Sequence, residues 1–230
     1  MCLVVVDPCL LVRALEHQHS PPGKLLSLLI HGLMSQRLRT LRDEYDEIVK
    51  DYGNSVSAHA LAKAHERVDR QYAAALDQQA RVSEALDQHV TTEFLLVTSP
   101  PLREELRDIA QQTQLKSPHI RPHRVNREIL RCTHLALVEL EPAPFYLGRE
   151  RVSPREYLIH TAITAECSVL ITQDDALTLP GDAHHRDPRT GRTVRPYTLD
   201  EFLQHELPFQ VTFDAIDAPA VFRAFKSDGA

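Results

Sequence analysis

The sequence predicts an α/β protein with a central, mainly parallel sheet. Short apolar runs alternate along the chain with longer segments of helical periodicity, which is the pattern of strand–helix–strand units. The runs are rich in valine, leucine and isoleucine, as strands buried on both faces require. The strands predicted from these runs are Leu3–Val6, Glu93–Thr98, His134–Leu140, Val169–Thr172 and Val194–Tyr197.

Start signals for helices follow these runs. Serine and threonine are good N-caps, and proline is tolerated in the first helical turn, so Ser-Pro pairs indicate where a helix begins. The predicted helices are Lys24–Ile30, which ends at Gly32, Leu102 to about Gln112, Pro154 to about Glu166, and a last one from Thr198 to Phe202.

Residues from about 35 to 90 predict a helical hairpin inserted into this domain. Apolar residues recur there mostly at steps of three and four, which places them on one face of each helix. The stripe consists of Leu38, Leu41, Tyr45, Ile48 and Tyr52 in the first helix and of Leu61, Val68, Tyr72, Leu76 and Leu86 in the second. The domain is expected to span residues 1–207. Residues 208–230 are read as a C-terminal tail, with a strand signal only at Phe209–Phe213.

Composition and charge predict a cytoplasmic protein without bulk affinity for nucleic acid. The 230 residues carry 26 basic and 32 acidic side chains, for a net charge of −6, and 43% of them are hydrophobic. The four cysteines form no C-x-x-C pair, so we expect reduced thiols and no zinc site. Asp7 interrupts the first apolar run, and no later run is long enough for a membrane span.

Carboxylates follow the predicted strands at one edge of the sheet. Asp7 follows the first strand, and Asp174 and Asp175 follow the fourth. Glu105 lies one turn into the helix after the second strand, and Glu156 begins the helix that leads to the fourth. Ligands of parallel sheets bind at the carboxyl ends of the strands. Carboxylates gathered there repel one another unless cations bind, and oxygen-only clusters suit Mg²⁺ or Mn²⁺.

Each of these acids also has an ordinary structural interpretation. Asp7 and Asp174 can cap the helices that follow them, and Glu156 completes a capping box with Ser153. Glu105 is harder to explain in this way, because its spacing places it towards the apolar face of its helix. A carboxylate on that face is costly unless something compensates it.

Five segments together resemble the PIN nuclease family, and its toxin-like branch in particular. LVVVDPCLLVRAL resembles the first strand and first acid of the family, and SPPGKLLSLLIHG resembles the helix that follows. FLLVTSPPLREEL resembles the second strand and the helix of the second acid. REYLIHTAITAECSVLITQDDAL resembles the third acid, its helix, and the fourth acid after a strand, and RPYTLDEFL resembles the closing strand and helix.

The resemblance implies a PIN-like three-layer fold with a central parallel sheet, and a ribonuclease that uses Mg²⁺ or Mn²⁺ to hydrolyse RNA phosphodiester bonds. It assigns catalysis and metal binding to Asp7, Glu105, Glu156 and Asp174, with Asp175 beside them. The partners that it implies are RNA and an antitoxin or other protein. A second copy of the chain is a further candidate partner, and a membrane is not.

Two alternatives stay open at this level. RDEYDEIV also resembles the helix of the second acid, which would move that role from Glu105 to Glu44. Cys9 stands where the family usually has a polar residue, and Glu156 stands alone where it usually has aspartate in an acidic run. Both departures favour a catalytically degenerate PIN-fold module that binds RNA or protein. An aspartyl phosphotransferase is disfavoured, because Cys9 occupies the place of its second aspartate.

Two basic stretches are candidates for holding the RNA backbone. Arginine contacts with phosphate position a strand without reading its sequence. The candidates are Arg121, Arg124 and Arg127 in the first stretch and Arg186, Arg189 and Arg192 in the second. The second stretch also contains His184 and His185, which we expect to be exposed loop residues. Aromatic residues make up only 6% of the chain, which gives little support for base-stacking platforms.

Overall fold

The strands in the described part of the chain form one sheet, and all but one of them run parallel. The computed structural model describes residues 2–51, 58–86, 93–116, 127, 156–167, 169–175, 177–178, 185–187, 190–205 and 216–226. The parallel strands are β1 (Cys2–Val6), β2 (Phe94–Leu96), β3 (Val169–Ile171) and β5 (Thr193–Tyr197), whereas β4 (His185–Arg186) is antiparallel to β5. The strand order is β2-β1-β3-β5-β4. The predicted strands at His134–Leu140 and Phe209–Phe213 lie outside the described residues.

Helices connect and cover these strands, which confirms the α/β class. In the described residues they are α1 (Pro8–Glu16), α2 (Pro21–Asp51), α3 (Ala58–Ala85), α4 (Pro100–Lys116), α5 (Tyr157–Thr164), α6 (Leu199–His205) and α7 (Ala218–Lys226). Two predicted caps are confirmed. The Ser20 hydroxyl accepts a hydrogen bond from the Gly23 amide at 3.4 Å. Thr198 and Glu201 form a reciprocal capping box at the start of α6.

Alternate residues of the strands enter two separate cores, one on each face of the sheet. On β1, Val4 and Val6 belong to the larger core, which includes α1, α2 and α7, whereas Val5 belongs to the smaller core built around α5. The ordering of strands along the sheet reverses at β1. The chain passes from β1 to β2 on one side, and β3 then returns to the other side of β1. That reversal is where open α/β sheets bind ligands.

Helix α2 does not end at Gly32 as the sequence predicts, but continues to Asp51. Gly32 does not end the helix. It allows α2 to approach β2 closely. A Cβ atom placed on Gly32 would lie 2.1 Å from the carbonyl oxygen of Phe94. The missing side chain lets α2 cross the backbone of β2 at this point.

Helices α2 and α3 form the predicted hairpin. Leu61, Val68, Ala75 and Val82 are buried at a seven-residue spacing along α3. The predicted apolar stripe of this helix was wrong at Leu76. That side chain is 51% exposed, and Ala75 lies between the helices instead. Across the seam, the Tyr45 and His65 rings lie 4.8 Å apart, centroid to centroid.

The hairpin leaves the domain at the amino-terminal edge of the sheet. Arg39 Nη1 of α2 lies 2.5 Å from Glu93 Oε2, and Glu93 directly precedes β2. The Glu93 carbonyl also accepts a hydrogen bond from the amide of Cys2, the first residue of β1. The part of α2 beyond Arg39 therefore lies at the edge opposite to the one that carries Asp7.

Part of the predicted tail is an integral part of the domain. Val221, Phe222 and Phe225 of α7 are buried in the larger core. The buried side chain of Gln78 on α3 donates from Nε2 to the Phe225 carbonyl at 2.8 Å. Asp217 caps α7 by accepting a hydrogen bond from the Ala220 amide at 3.1 Å. The boundary expected at residue 207 therefore does not separate a tail from the fold.

A buried histidine on α2 is expected to make stability depend on pH. Burial lowers the pKa of His31, and the Glu93 carboxylate opposes this only in part. Below a pH of about 6.5 the unfolded chain binds a proton that the folded chain resists, so the free energy of unfolding falls as the pH is lowered towards the folded pKa. His31→Gln should remove this component of the pH dependence in urea titrations. His59→Gln, on the exposed surface of α3, should keep it, and equal profiles for all three proteins would refute the assignment.

Candidate active site

Asp7 joins the carboxyl ends of β1 and β3. It caps α1 by accepting a hydrogen bond at Oδ1 from the Cys9 amide, at 2.8 Å. Its Oδ2 accepts hydrogen bonds from the Thr172 hydroxyl at 3.1 Å and from the Gln173 amide at 3.4 Å. The side chain is fully buried. The cap expected from the sequence is confirmed, and the contacts to Thr172 and Gln173 show that Asp7 does more than cap α1.

Asp174 is held beside Asp7 through the same threonine. The Thr172 hydroxyl oxygen accepts a hydrogen bond from the Asp174 amide at 3.0 Å while it donates to Asp7. The register of β1 and β3, in which Val6 pairs with Ile171, brings the two strand ends level. Asp174 is partly exposed, so this edge carries one buried and one partly exposed aspartate, at neighbouring strand ends. The predicted proximity of the two strand ends is confirmed.

Hydrogen bonds within the turn and from β4 hold the turn that contains Asp174. The Asp174 carbonyl accepts hydrogen bonds from the amides of Leu177 at 2.9 Å and Thr178 at 3.2 Å. The Leu177 carbonyl in turn lies 2.9 Å from Nε2 of His185 on β4. The expectation that His185 is exposed was wrong, because it is buried against this turn. Asp175 is exposed beside it.

Glu105 occupies the predicted place on α4, after β2. It is partly buried, and its Oε2 atom is shielded from solvent. The fully buried Leu102 and Leu106 flank it on the same helix. Helix α4 packs against α1, the helix that Asp7 caps. Its partial burial agrees with the sequence prediction that Glu105 lies towards the apolar face of its helix.

Glu156 directly precedes α5 and makes no side-chain capping hydrogen bond to that helix. The Thr161 hydroxyl of α5 is hydrogen-bonded to the Ser99 hydroxyl, at the start of α4, at 2.8 Å. Helix α5 leads back into β3, so its first residues lie towards the carboxyl edge of the sheet. Ser153, the other half of the expected capping box, lies outside the described residues.

Glu44, the competitor for the role of second acid, lies in the hairpin. Its carboxylate pairs with Arg67 of α3, with Arg67 Nη2 at 3.0 Å from Glu44 Oε1. It follows Arg39 on α2 and therefore lies beyond the amino-terminal edge of the sheet. This position separates Glu44 from Asp7 and Asp174, and it favours Glu105 as their companion.

The aspartate pair consists of side chains that a hard divalent cation takes as ligands. Mg²⁺ is typically held by one or two carboxylates together with water and substrate oxygens, and Mn²⁺ also suits oxygen ligands. Asp7 and Asp174 contribute carboxylates of this type, one at each of two neighbouring strand ends. Among the residues that the structure describes, no three histidine, cysteine, aspartate or glutamate side chains are close enough to hold one ion. The larger site of four acids stays a prediction.

The basic residues predicted to hold RNA are only partly described. Arg127 and Arg186 are exposed. Arg192 is ion-paired with Glu166 in the loop between α5 and β3. The remaining candidates, Arg121, Arg124 and Arg189, lie outside the described residues.

Sequence reasoning missed three residues that surround the aspartate pair. The sequence prediction includes Thr172 only as the last residue of a strand, and Gln173 only as part of the segment after it. The run Thr-x-Asp at the end of a buried strand is a signal that could have identified them. Arg13 of α1 donates from Nη1 to Gln173 Oε1 at 2.6 Å, which the sequence alone gives no means of foreseeing.

Fold and site together define an α/β protein with an aspartate pair where the strand order reverses. Comparisons of the chain with models of protein families, with curated proteins and with solved structures found no match in any of the three. Within the described residues, no helix is both long enough and apolar enough to cross a membrane.

Proposed function

We propose that the protein is a metal-dependent endoribonuclease with a PIN-like fold. The observation that carries this proposal is the linkage of Asp7 and Asp174 through Thr172 at the carboxyl edge of the sheet. The Asp7 carboxylate and the Asp174 backbone amide both bind the Thr172 hydroxyl, so the two aspartates stand at neighbouring strand ends. Carboxylates that approach one another in such a place are favoured when a cation binds between them. The resemblance of the surrounding segments to PIN nucleases, and their order in the chain, supply the reaction class.

In this proposal each acid has a distinct task. When bound, Mg²⁺ or Mn²⁺ supplies positive charge that polarises the phosphodiester and makes a water molecule more acidic. Asp7 and Asp174 hold that charge in place, and the hydrogen bonds to Asp7 fix its carboxylate orientation. Glu105 or Glu156 accepts the proton of the attacking water. The substrate is RNA, and a toxin-type role with a protein antitoxin is the biological setting that the resemblance suggests.

A second candidate function is a catalytically degenerate PIN-fold module that binds RNA or protein. The state of Asp7 favours it, because this carboxylate is fully buried and both of its oxygens accept hydrogen bonds from the protein. An aspartate that is buried and hydrogen-bonded in this way can have a purely structural role. The long hairpin of α2 and α3 then provides a surface for a partner.

Cleavage of a mixed RNA pool distinguishes the two functions. We expect cutting with Mn²⁺, no cutting with EDTA, and a loss on the order of a hundredfold or more in the Asp174→Asn variant. Asp43→Asn, an exposed change on the hairpin, is the matched control and should cut like the wild type. Folded protein that fails to cut with any divalent metal supports the binding module. Cutting that survives Asp174→Asn refutes the proposed site.

A further inference from the structure

Arg13 lies at the rim of the aspartate pair. Its guanidinium donates to the side chain of Gln173 at 2.6 Å, and both side chains are exposed. Gln173 stands between Thr172 and Asp174 in the chain, and its amide donates to Asp7 Oδ2. The guanidinium is therefore attached, through one residue, to the segment that joins Asp7 and Asp174.

Arg13 differs from five other arginines of this protein in its partner, and it shares with Arg37 a hydrogen bond to a glutamine side chain. Arg39, Arg67, Arg70, Arg81 and Arg192 each pair with a carboxylate. In the described part of the chain, Arg13 forms no ion pair and is held only by the neutral amide of Gln173. A guanidinium has five donor hydrogens, so one hydrogen bond leaves most of them available on the exposed side. Its positive charge is oriented but not neutralised.

We infer that Arg13 anchors a phosphate of the RNA backbone next to the aspartate pair. This inference rests on the proposed function and assigns it a substrate-binding residue. The carboxylates repel a polyanion, and a fixed cation at their rim offsets that repulsion for one phosphate of the approaching strand. The planar guanidinium suits two parallel hydrogen bonds to phosphate oxygens. The tether to Gln173 limits the conformations of the arginine before the RNA arrives, which lowers the entropic cost of binding.

Binding of a short, labelled single-stranded RNA of mixed sequence tests this role without depending on cleavage. Fluorescence anisotropy with Ca²⁺ in place of Mg²⁺ gives the affinity across a range of KCl concentrations. Arg13→Gln should weaken binding by about three- to tenfold and lower the slope of log K against log salt by about 0.7, the value for one phosphate contact on a single strand. Arg13→Lys should keep the wild-type slope but bind less tightly, because lysine retains the charge and loses the paired geometry.

Two further variants separate this role from a general effect of charge. Arg223→Gln removes an exposed arginine of α7 and should leave affinity and slope unchanged, apart from a small long-range effect. Gln173→Ala should weaken binding in the wild type but not in the Arg13→Gln background, because the glutamine acts through the arginine. Melting temperatures of all variants verify folding.

The outcomes separate this inference from the nuclease proposal. Wild-type affinity and slope in Arg13→Gln overturn the inference, whether or not the protein cuts RNA, and so does a wild-type protein that binds no RNA. Loss of affinity in Arg13→Gln with an unchanged salt slope also overturns it, because no phosphate contact has then been removed. Weaker binding with a reduced slope supports it even if the protein proves unable to cut.

Discussion

Asp7→Asn is expected to abolish RNA cleavage and to lower stability at the same time. Asparagine has one acceptor oxygen where aspartate has two, and its amide nitrogen cannot accept a hydrogen bond. The Thr172 hydroxyl and the Gln173 amide, or else the Cys9 amide, would then face a donor inside the protein. An unsatisfied buried group of this kind costs about 1–3 kcal/mol. The position of Asp7 after a strand would by itself suggest a nearly unchanged fold, but its full burial predicts a loss of stability.

Asp174→Asn is the matched variant, because Asp174 is partly exposed. We expect it to lose cleavage while its free energy of unfolding stays within about 0.5 kcal/mol of the wild type. Urea titrations and cleavage rates of both variants measure the contrast. Wild-type cleavage by Asp7→Asn would place the active site elsewhere. Wild-type stability of Asp7→Asn would show that its hydrogen bonds contribute little to the fold.

The aspartate pair could be predicted because its position depends on local patterns. An apolar run identifies a buried parallel strand, and the residue after it lies at the carboxyl edge whatever the rest of the chain does. Asp7 and Asp174 satisfy this rule, and the register between β1 and β3 confirms it. The strand order was not needed for the prediction, although it strengthens the case by placing the pair at the reversal.

The features that sequence reasoning missed depend on contacts between distant segments. His185 is buried where β4 pairs with β5 and its ring contacts the Leu177 carbonyl, so its burial depends on how the turn and the two strands pack. The bond from Arg13 to Gln173 joins residues 160 positions apart. Helix α7 is short; it packs against α2 and α3, and its Phe222 and Phe225 are buried in the larger core. No periodicity in a short window reports such contacts.

Gly32 is another position that could not be interpreted from local sequence alone. A structural constraint does require glycine there, but the constraint is not a helix end. A glycine after an apolar helical run often marks a helix end, since it adopts the left-handed conformation without strain. Here the constraint is steric, and the backbone of β2 occupies the space of a side chain. Helix α2 can therefore pass through the glycine and extend into the hairpin. The local rule predicts the more common role of glycine, a helix end. The contact between α2 and β2 gives Gly32 a different role.

Gly32→Ala is expected to destabilise the protein, against the usual effect of this substitution in a helix. Replacing a glycine inside an exposed helix by alanine typically gains roughly 0.5–1 kcal/mol. At position 32 the new methyl group would lie 2.1 Å from the Phe94 oxygen and 2.8 Å from its carbonyl carbon, so α2 and β2 must move apart. Overpacking of this kind costs about 1–3 kcal/mol, and the backbone atoms involved cannot rotate away.

Thermal unfolding of Gly32→Ala measures this cost. The midpoint should fall by about 2–4 °C for each kcal/mol lost in a protein of this size. Thr40→Ala, an exposed change to alanine further along the same helix, is the control and should leave the midpoint unchanged or slightly raised. A midpoint for Gly32→Ala at or above that of the wild type would mean that α2 and β2 do not meet at Gly32. The hairpin would then leave the domain by another path, and the separation of Glu44 from the aspartate pair would lose its structural basis.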